Sequence, residues 1–189
     1  MKQKLNVLLI VFAAANLFLL NSTQAQNTQT SKVYTVDEII ESAPTLVGKT
    51  VTVKGTVQHI CEKTGRKLFL ETADGKKTFR LNAGTKIDKF NENALDTVVI
   101  ASGVVAEQKV TLEDLNKQEA AVVAAEKAKK VAEHCTSEAK ANGENTVATP
   151  VQRVQALKDK LNKQVEAGKN NYLSFYTIDN VDEYSIVKK

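Results

Sequence analysis

"TVDEIIESAPTLVGKTVTVKGTV", residues 35–57, passes from one periodicity to another, and that passage decides the fold. Thr35 followed three residues later by Glu38 is a capping box ahead of Ile39 and Ile40. A short helix is therefore expected to run to about Ala43 and to stop at Pro44. Beyond Lys49 the spacing changes to two: Val51, Val53 and Val57 fall on one side, with threonines and Lys54 on the other, as in a half-buried strand. Gly55 interrupts this strand, as glycine does at a bulge or a barrel corner.

Further strand patterns lie downstream. "KLFLET" (67–72) meets "KKTFRLNA" (76–83) across Ala73-Asp74-Gly75, and Asp-Gly between alternating segments predicts a hairpin. A short helix is expected across "KIDKFNENAL" (86–95), then a buried strand in "DTVVIASGVVAE" (96–107) and a last one in "YLSFYTI" (172–178). This order, with a glycine inside the first strand, resembles the OB-fold, a five-stranded closed Greek-key barrel. The resemblance covers roughly residues 35–110 and 172–187 and is carried best by the opening stretch. The chain is also similar to uncharacterised secreted OB-fold proteins with a His-x-Cys-x3-Gly segment, here His59, Cys61 and Gly65. That group implies a fold and a motif, with no activity attached. Nucleic-acid-binding members of the superfamily carry basic and aromatic residues on the second and third strands. The matching positions are Lys67, Phe69 and Arg80 on the outer face, with Leu68, Leu70, Phe79 and Leu81 filling the barrel.

At the N-terminus, Lys2 and Lys4 precede an apolar run from Leu5 to Leu20, and Thr23-Gln24-Ala25 supplies small residues for cleavage. Residues 1–25 read as a secretory signal, 26–34 as a flexible tether and 35–189 as one domain. The run is shorter than the roughly 20 residues of a membrane span, and no cysteine follows it to take a lipid. The expected location is periplasmic or secreted, with no transmembrane segment after cleavage. Loss of Lys2 and Lys4 would lower the formal charge from +4 to +2, which gives bulk electrostatics little hold on nucleic acid.

Between the fourth and fifth barrel strands lies an insertion, about residues 112–168, that makes the expected class α+β: mainly β with an α insertion. Thr111 with Asp114 caps a helix expected to continue to about Ala141, about 45 Å at about 1.5 Å per residue, before Asn142-Gly143 ends it. Thr149-Pro150 opens a second helix with an apolar stripe of Val151, Val154, Leu157, Leu161 and Val165. The two should form a long helical hairpin. Its first member would use Ala121, Ala125, Ala128, Ala132, Cys135 and Ala139 for close approach, as a brace on the barrel or as an arm for a partner.

The chain's two histidines and two cysteines form two tight pairs, His59 with Cys61 and His134 with Cys135. On a strand, His59 and Cys61 share a side about 7 Å apart, close enough to chelate one metal ion. On a helix, His134 and Cys135 diverge by about 100°. A metal site would therefore use His59, Cys61 and one of the helical pair, with zinc or copper as first candidates. The simpler alternative in an exported chain is a Cys61–Cys135 disulfide. It would close a loop of about 75 residues, worth roughly 4 kcal/mol in the chain-entropy model. Two unpaired buried thiols are the third reading.

Catalytic patterns are weak. Gly48-Lys49-Thr50 matches the end of a phosphate-binding loop, but position 43 is Ala and a strand follows where a helix is required. No orienting acid is identifiable for a Cys61 nucleophile, and no C-x-x-C redox or C-x-x-C-H haem motif occurs. The expected function is that of an exported, non-enzymatic OB-fold binding module, its partner an unknown periplasmic protein or small ligand. The alternative, disfavoured by the absence of Trp and by export, is single-stranded nucleic acid or polyanion binding through Lys54, Arg66, Lys67, Phe69, Lys77 and Arg80.

Overall fold

The structure is a computed structural model and describes residues 32–128 and 136–187. The expected signal, residues 26–31 of the tether, and His134 with Cys135 lie outside the described residues. The elements in chain order are β1 (Val33–Thr35), α1 (Val36–Leu46), β2 (Thr50–Ile60), β3 (Lys67–Glu71), β4 (Thr78–Ala83) and β5 (Val98–Thr111). They continue with α2 (Leu112–Lys127), α3 (Thr136–Ala141), α4 (Pro150–Glu166) and β6 (Tyr172–Ile186).

Five strands close on themselves in the order β2-β3-β4-β6-β5, with β5 returning to β2. β4 and β6 run parallel; the other barrel pairs are antiparallel. This closed barrel, compatible with an OB-fold-like one, carries β1 as an extra strand parallel to the start of β2, Val33 opposite Thr52. Val33 and Tyr34 of the expected tether are thus ordered in the sheet. Val53, Val57, Leu68, Leu70, Phe79, Leu81, Val99 and Ile178 fill the interior, as alternation requires when one face of each strand is covered. α1 adds Val36, Ile39 and Ala43 to the same core.

Several expectations change in detail. α1 continues through Pro44 to Leu46, because a proline in the last turn forfeits a single backbone bond near an end that frays anyway. Gly55 is not at a bulge: it stands in register opposite Val99. Its missing side chain makes room for α1, since a Cβ there would lie 2.5 Å from Cγ2 of Val36. The bulge falls instead at Gln58, between the Val57–Leu70 and His59–Phe69 pairs. The helix expected over 86–95 is reduced to a single 3-10 turn, Glu92–Ala94, where the Asn91 side chain accepts from the N–H of Asn93 and caps the start. The Asp-Gly hairpin forms: Asp74 accepts from the Lys76 N–H and the Thr72 hydroxyl, which together hold its carboxyl down to about 2.

The insertion lies between β5 and β6, and its described helices match the expected two-helix hairpin only in part. α2 stops at Lys127, and the described residues of α3 are Thr136–Ala141. α2 and α4 pack together at the end of a long β5–β6 ribbon that pairs as far as Thr111 and Tyr172. Their shared core is Leu115, Val154, Leu157, Leu161 and Leu173. The alanine stripe does not make this contact: Ala121 and Ala128 are exposed, because Leu115 and Val122 offer more apolar area to α4. α3 instead packs on β3 and β4.

Candidate functional site: the outer face of strands β3 and β4 and its adjoining cleft

Alternation along β3 and β4 sends Lys67, Phe69 and Arg80 outward, opposite to Leu68, Leu70, Phe79 and Leu81. The bulge at Gln58 places Gln58 and then His59 on this outer side as well, because Val57 and Ile60 both remain inside. His59 stands beside Phe69, their ring centroids 5.7 Å apart.

α3 lies across this face through a consecutive set of side chains. Ser137 donates to Oε1 of Gln58 at 3.0 Å, and the Thr78 hydroxyl donates to the Ser137 carbonyl at 3.2 Å. Glu138 receives Lys67 Nζ on both carboxylate oxygens, at 2.9 and 2.8 Å, and Arg80 Nη1 on one of them. Ala139 is buried, and Lys140 Nζ donates to the Gly75 carbonyl. Burial by itself would raise the Glu138 carboxyl. Hydrogen bonding from Lys67 and the charge of Arg80 outweigh it and hold the group below the ordinary glutamate range. Arg80 Nε is buried with no hydrogen-bond partner among the described residues.

The six residues expected to form a ligand face therefore occupy different situations. Lys54 and Lys77 are exposed. Lys67 and Arg80 are paired with Glu138. Phe69, expected to offer a stacking surface, is fully buried where α3 packs. Arg66 reaches away to a loop: its guanidinium donates to the carbonyls of Ala83, Gly84, Ile87 and Asp88. Sequence reading missed Gln58, Ser137 and Glu138; the one available signal was an acid able to neutralise the basic pair.

Next to this face, at the end of β2, a cleft of about 440 Å3 is lined by His59, Cys61, Glu62, Lys89, Phe90 and Glu92. The loop from Cys61 to Gly65 is tied by the Gly65 N–H to the Cys61 carbonyl at 2.7 Å. The Gly65 carbonyl accepts from the Phe90 N–H at 2.8 Å. Gly65 has φ +64°, and a Cβ there would meet Lys89 Cβ at 2.8 Å, so glycine is required on both counts. Arg66 fixes the facing loop from behind. Tyr184 does so from the barrel, packing edge-on against Phe90 and accepting from the Asn91 N–H. Cys61 is half-buried and has no disulfide partner among the described residues. Among the described residues no three His, Cys, Asp or Glu side chains converge as metal ligands. The other half of the proposed cluster, His134 and Cys135, lies outside those residues.

No family model and no curated protein matches this chain. Among solved structures it is similar to a Leishmania major Friedlin protein assigned as an aspartyl-tRNA synthetase. The two are 22% identical with a TM-score of 0.32, over 48% of this chain and 19% of that one.

Proposed function

We propose that this chain is an exported, non-enzymatic binding module of the OB-fold superfamily whose outer β2–β4 surface carries a Cys/His cluster, joined either by a disulfide or by a metal ion. The strand order and the parallel β4–β6 pair support the fold assignment. The observation that carries the cluster is the hydrogen bond from Ser137 to Gln58. Cys135 is two residues from Ser137, a reach of at most about 7 Å. Cys61 is three residues from Gln58, about 10 Å along a strand. These two reaches leave a contact between Cys61 and Cys135 within the span of the chain, with His59 lying between Gln58 and Cys61 in sequence. The cluster would tie the end of β2 to the chain ahead of α3, without involving the contacts of α3 itself, and leave the adjoining cleft open to a ligand.

The test is elemental analysis with thiol counting on protein purified from the exported fraction. Sulfurs unreactive until reductant is added indicate a bridge, and sulfurs released by a chelator indicate zinc or copper. Two freely reactive thiols with no bound metal would overturn the cluster, and retention in the cytoplasm would overturn export. Polyanion binding remains a second reading, favoured by the adjacent Lys67 and Arg80. It ranks lower because both cations already hold a carboxylate and Phe69 offers no exposed ring.

A further inference from the structure

The helices of the insertion are held in two chemically different ways. α2 and α4 are joined by an apolar cluster, whereas α3 meets the barrel chiefly through polar bonds from consecutive residues, with Ala139 as its buried apolar contact. No residue of α3 belongs to the barrel core. Each bond it makes is one that water or another polar chain could replace. The basic groups beneath it are also incompletely used, with Arg80 Nε buried and without a hydrogen-bond partner among the described residues.

We propose that the β3–β4 exterior is a docking face for a short helical protein segment and that α3 occupies it as an internal stand-in, which an external segment of the same chemistry displaces. The chemistry follows from the contacts. The segment presents a hydroxyl to Gln58, then a carboxylate to Lys67 and Arg80, then a side chain no larger than a methyl where Ala139 is buried, then an ammonium to the Gly75 carbonyl. This recognition is peptide-like. The backbone carbonyl of Ser137 accepts from the Thr78 hydroxyl, while Ser137, Glu138 and Lys140 act through their side chains, so backbone and side chains are both read. A nucleic acid phosphate could take the place of the carboxylate, and the oligothymidylate arm of the test below distinguishes that case. The inference rests on the binding-module reading and names its partner.

An occupant on the same chain enjoys an effective concentration of about millimolar. An external copy of the segment therefore competes poorly with wild type, and weakening α3 raises its apparent affinity. The probe is a helix-constrained, fluorescein-labelled peptide of residues 136–143, constrained because so short a helix is marginal alone. Glu138→Lys sets like charges against Lys67 and Arg80. It should speed amide exchange across residues 137–141 and tighten peptide binding at least about tenfold over wild type, with NMR shifts at Gln58, Lys67 and Arg80. Lys67→Ala with Arg80→Ala in that background should abolish the gain. Ser137→Ala with Lys140→Ala leaves the charged pair intact and should give a smaller gain in the same direction, which guards against misfolding of the reversal variant.

Unchanged exchange in Glu138→Lys would overturn α3 as a displaceable occupant. Released α3 without peptide binding would overturn the docking face. Binding of labelled oligothymidylate instead of peptide would overturn the peptide assignment in favour of a polyanion. In each case the module reading keeps its own test in the thiol and metal content of the exported protein.

Discussion

Replacing Gly55 by alanine sets two effects of opposite sign against each other. Inside a strand, alanine is better than glycine by about 0.5–1 kcal/mol, because it restricts the unfolded chain. Here, however, the new Cβ would lie 2.5 Å from Cγ2 of Val36 and 3.3 Å from two carbons of Leu70. Val36 is a stiff β-branched residue buried at the first position of α1, and Leu70 is fully buried, so neither has space to retreat. Overpacking of this kind costs about 1–3 kcal/mol, and the balance is a net loss of about 1–2 kcal/mol. For a chain of this size that lowers Tm by about 2–8 °C. Thermal unfolding followed by far-ultraviolet circular dichroism measures it, and Val36→Ala should recover part of the loss in the double variant, because the two substitutions share one contact. A Gly55→Ala protein as stable as the parent, or a double variant with strictly additive losses, would refute the close approach of α1 to the barrel wall.

Deleting residues 112–168 and rejoining the chain with a short loop should leave a cooperatively unfolding β-type protein, since Thr111 and Tyr172 are already paired; loss of the β-type dichroism transition would show that the insertion is needed for folding. Arg66→Ala removes the donor to four carbonyls of the 83–88 loop. It should cost about 1–3 kcal/mol and speed amide exchange there, and Arg66→Lys should not recover the loss, because one ammonium cannot reproduce the planar fork. Docking of α3 should depend on pH through Glu138: its folded carboxyl lies below the ordinary 4.5, so the contribution is complete above 4.5 and is lost as pH falls through the folded value. Amide exchange at Ala139 would follow this, and protection unchanged into strong acid would exclude the charged pair as the hold on α3.

The parts of the fold legible in the sequence are those whose causes are local. Thr35 with Glu38, Thr111 with Asp114 and Thr149 with Gln152 each form a complete capping box. The alternation of Leu68, Leu70, Phe79 and Leu81 reads directly as a barrel interior. The bulge at Gln58 was not legible, because nothing in "TVQHI" distinguishes it from regular strand until Phe69 and Leu70 fix the partner register. The end of α2 at Lys127 was hidden by alanine-rich sequence that suits a helix beyond it. What separates α3 from α2 in role is a set of distant partners, Gln58, Lys67, Gly75 and Arg80. The candidate site is therefore half readable: the basic residues announce an outer face, while its occupant is fixed by tertiary contact.

β6 carries both closing seams of the barrel, one with β4 and one with β5. A chain emerging from its N-terminus can assemble β2 with β3, β4 and β5, yet it keeps two bare edges until Tyr172 and its successors arrive. Those edges are templates for pairing with another molecule. The insertion lengthens the exposed interval, since all of α2, α3 and α4 must be made before closure begins. Contacts so distant in sequence also form slowly. Nascent chains should therefore rely on a holding factor more than the finished barrel does, and truncation anywhere before Tyr172 should yield aggregates instead of a smaller folded domain.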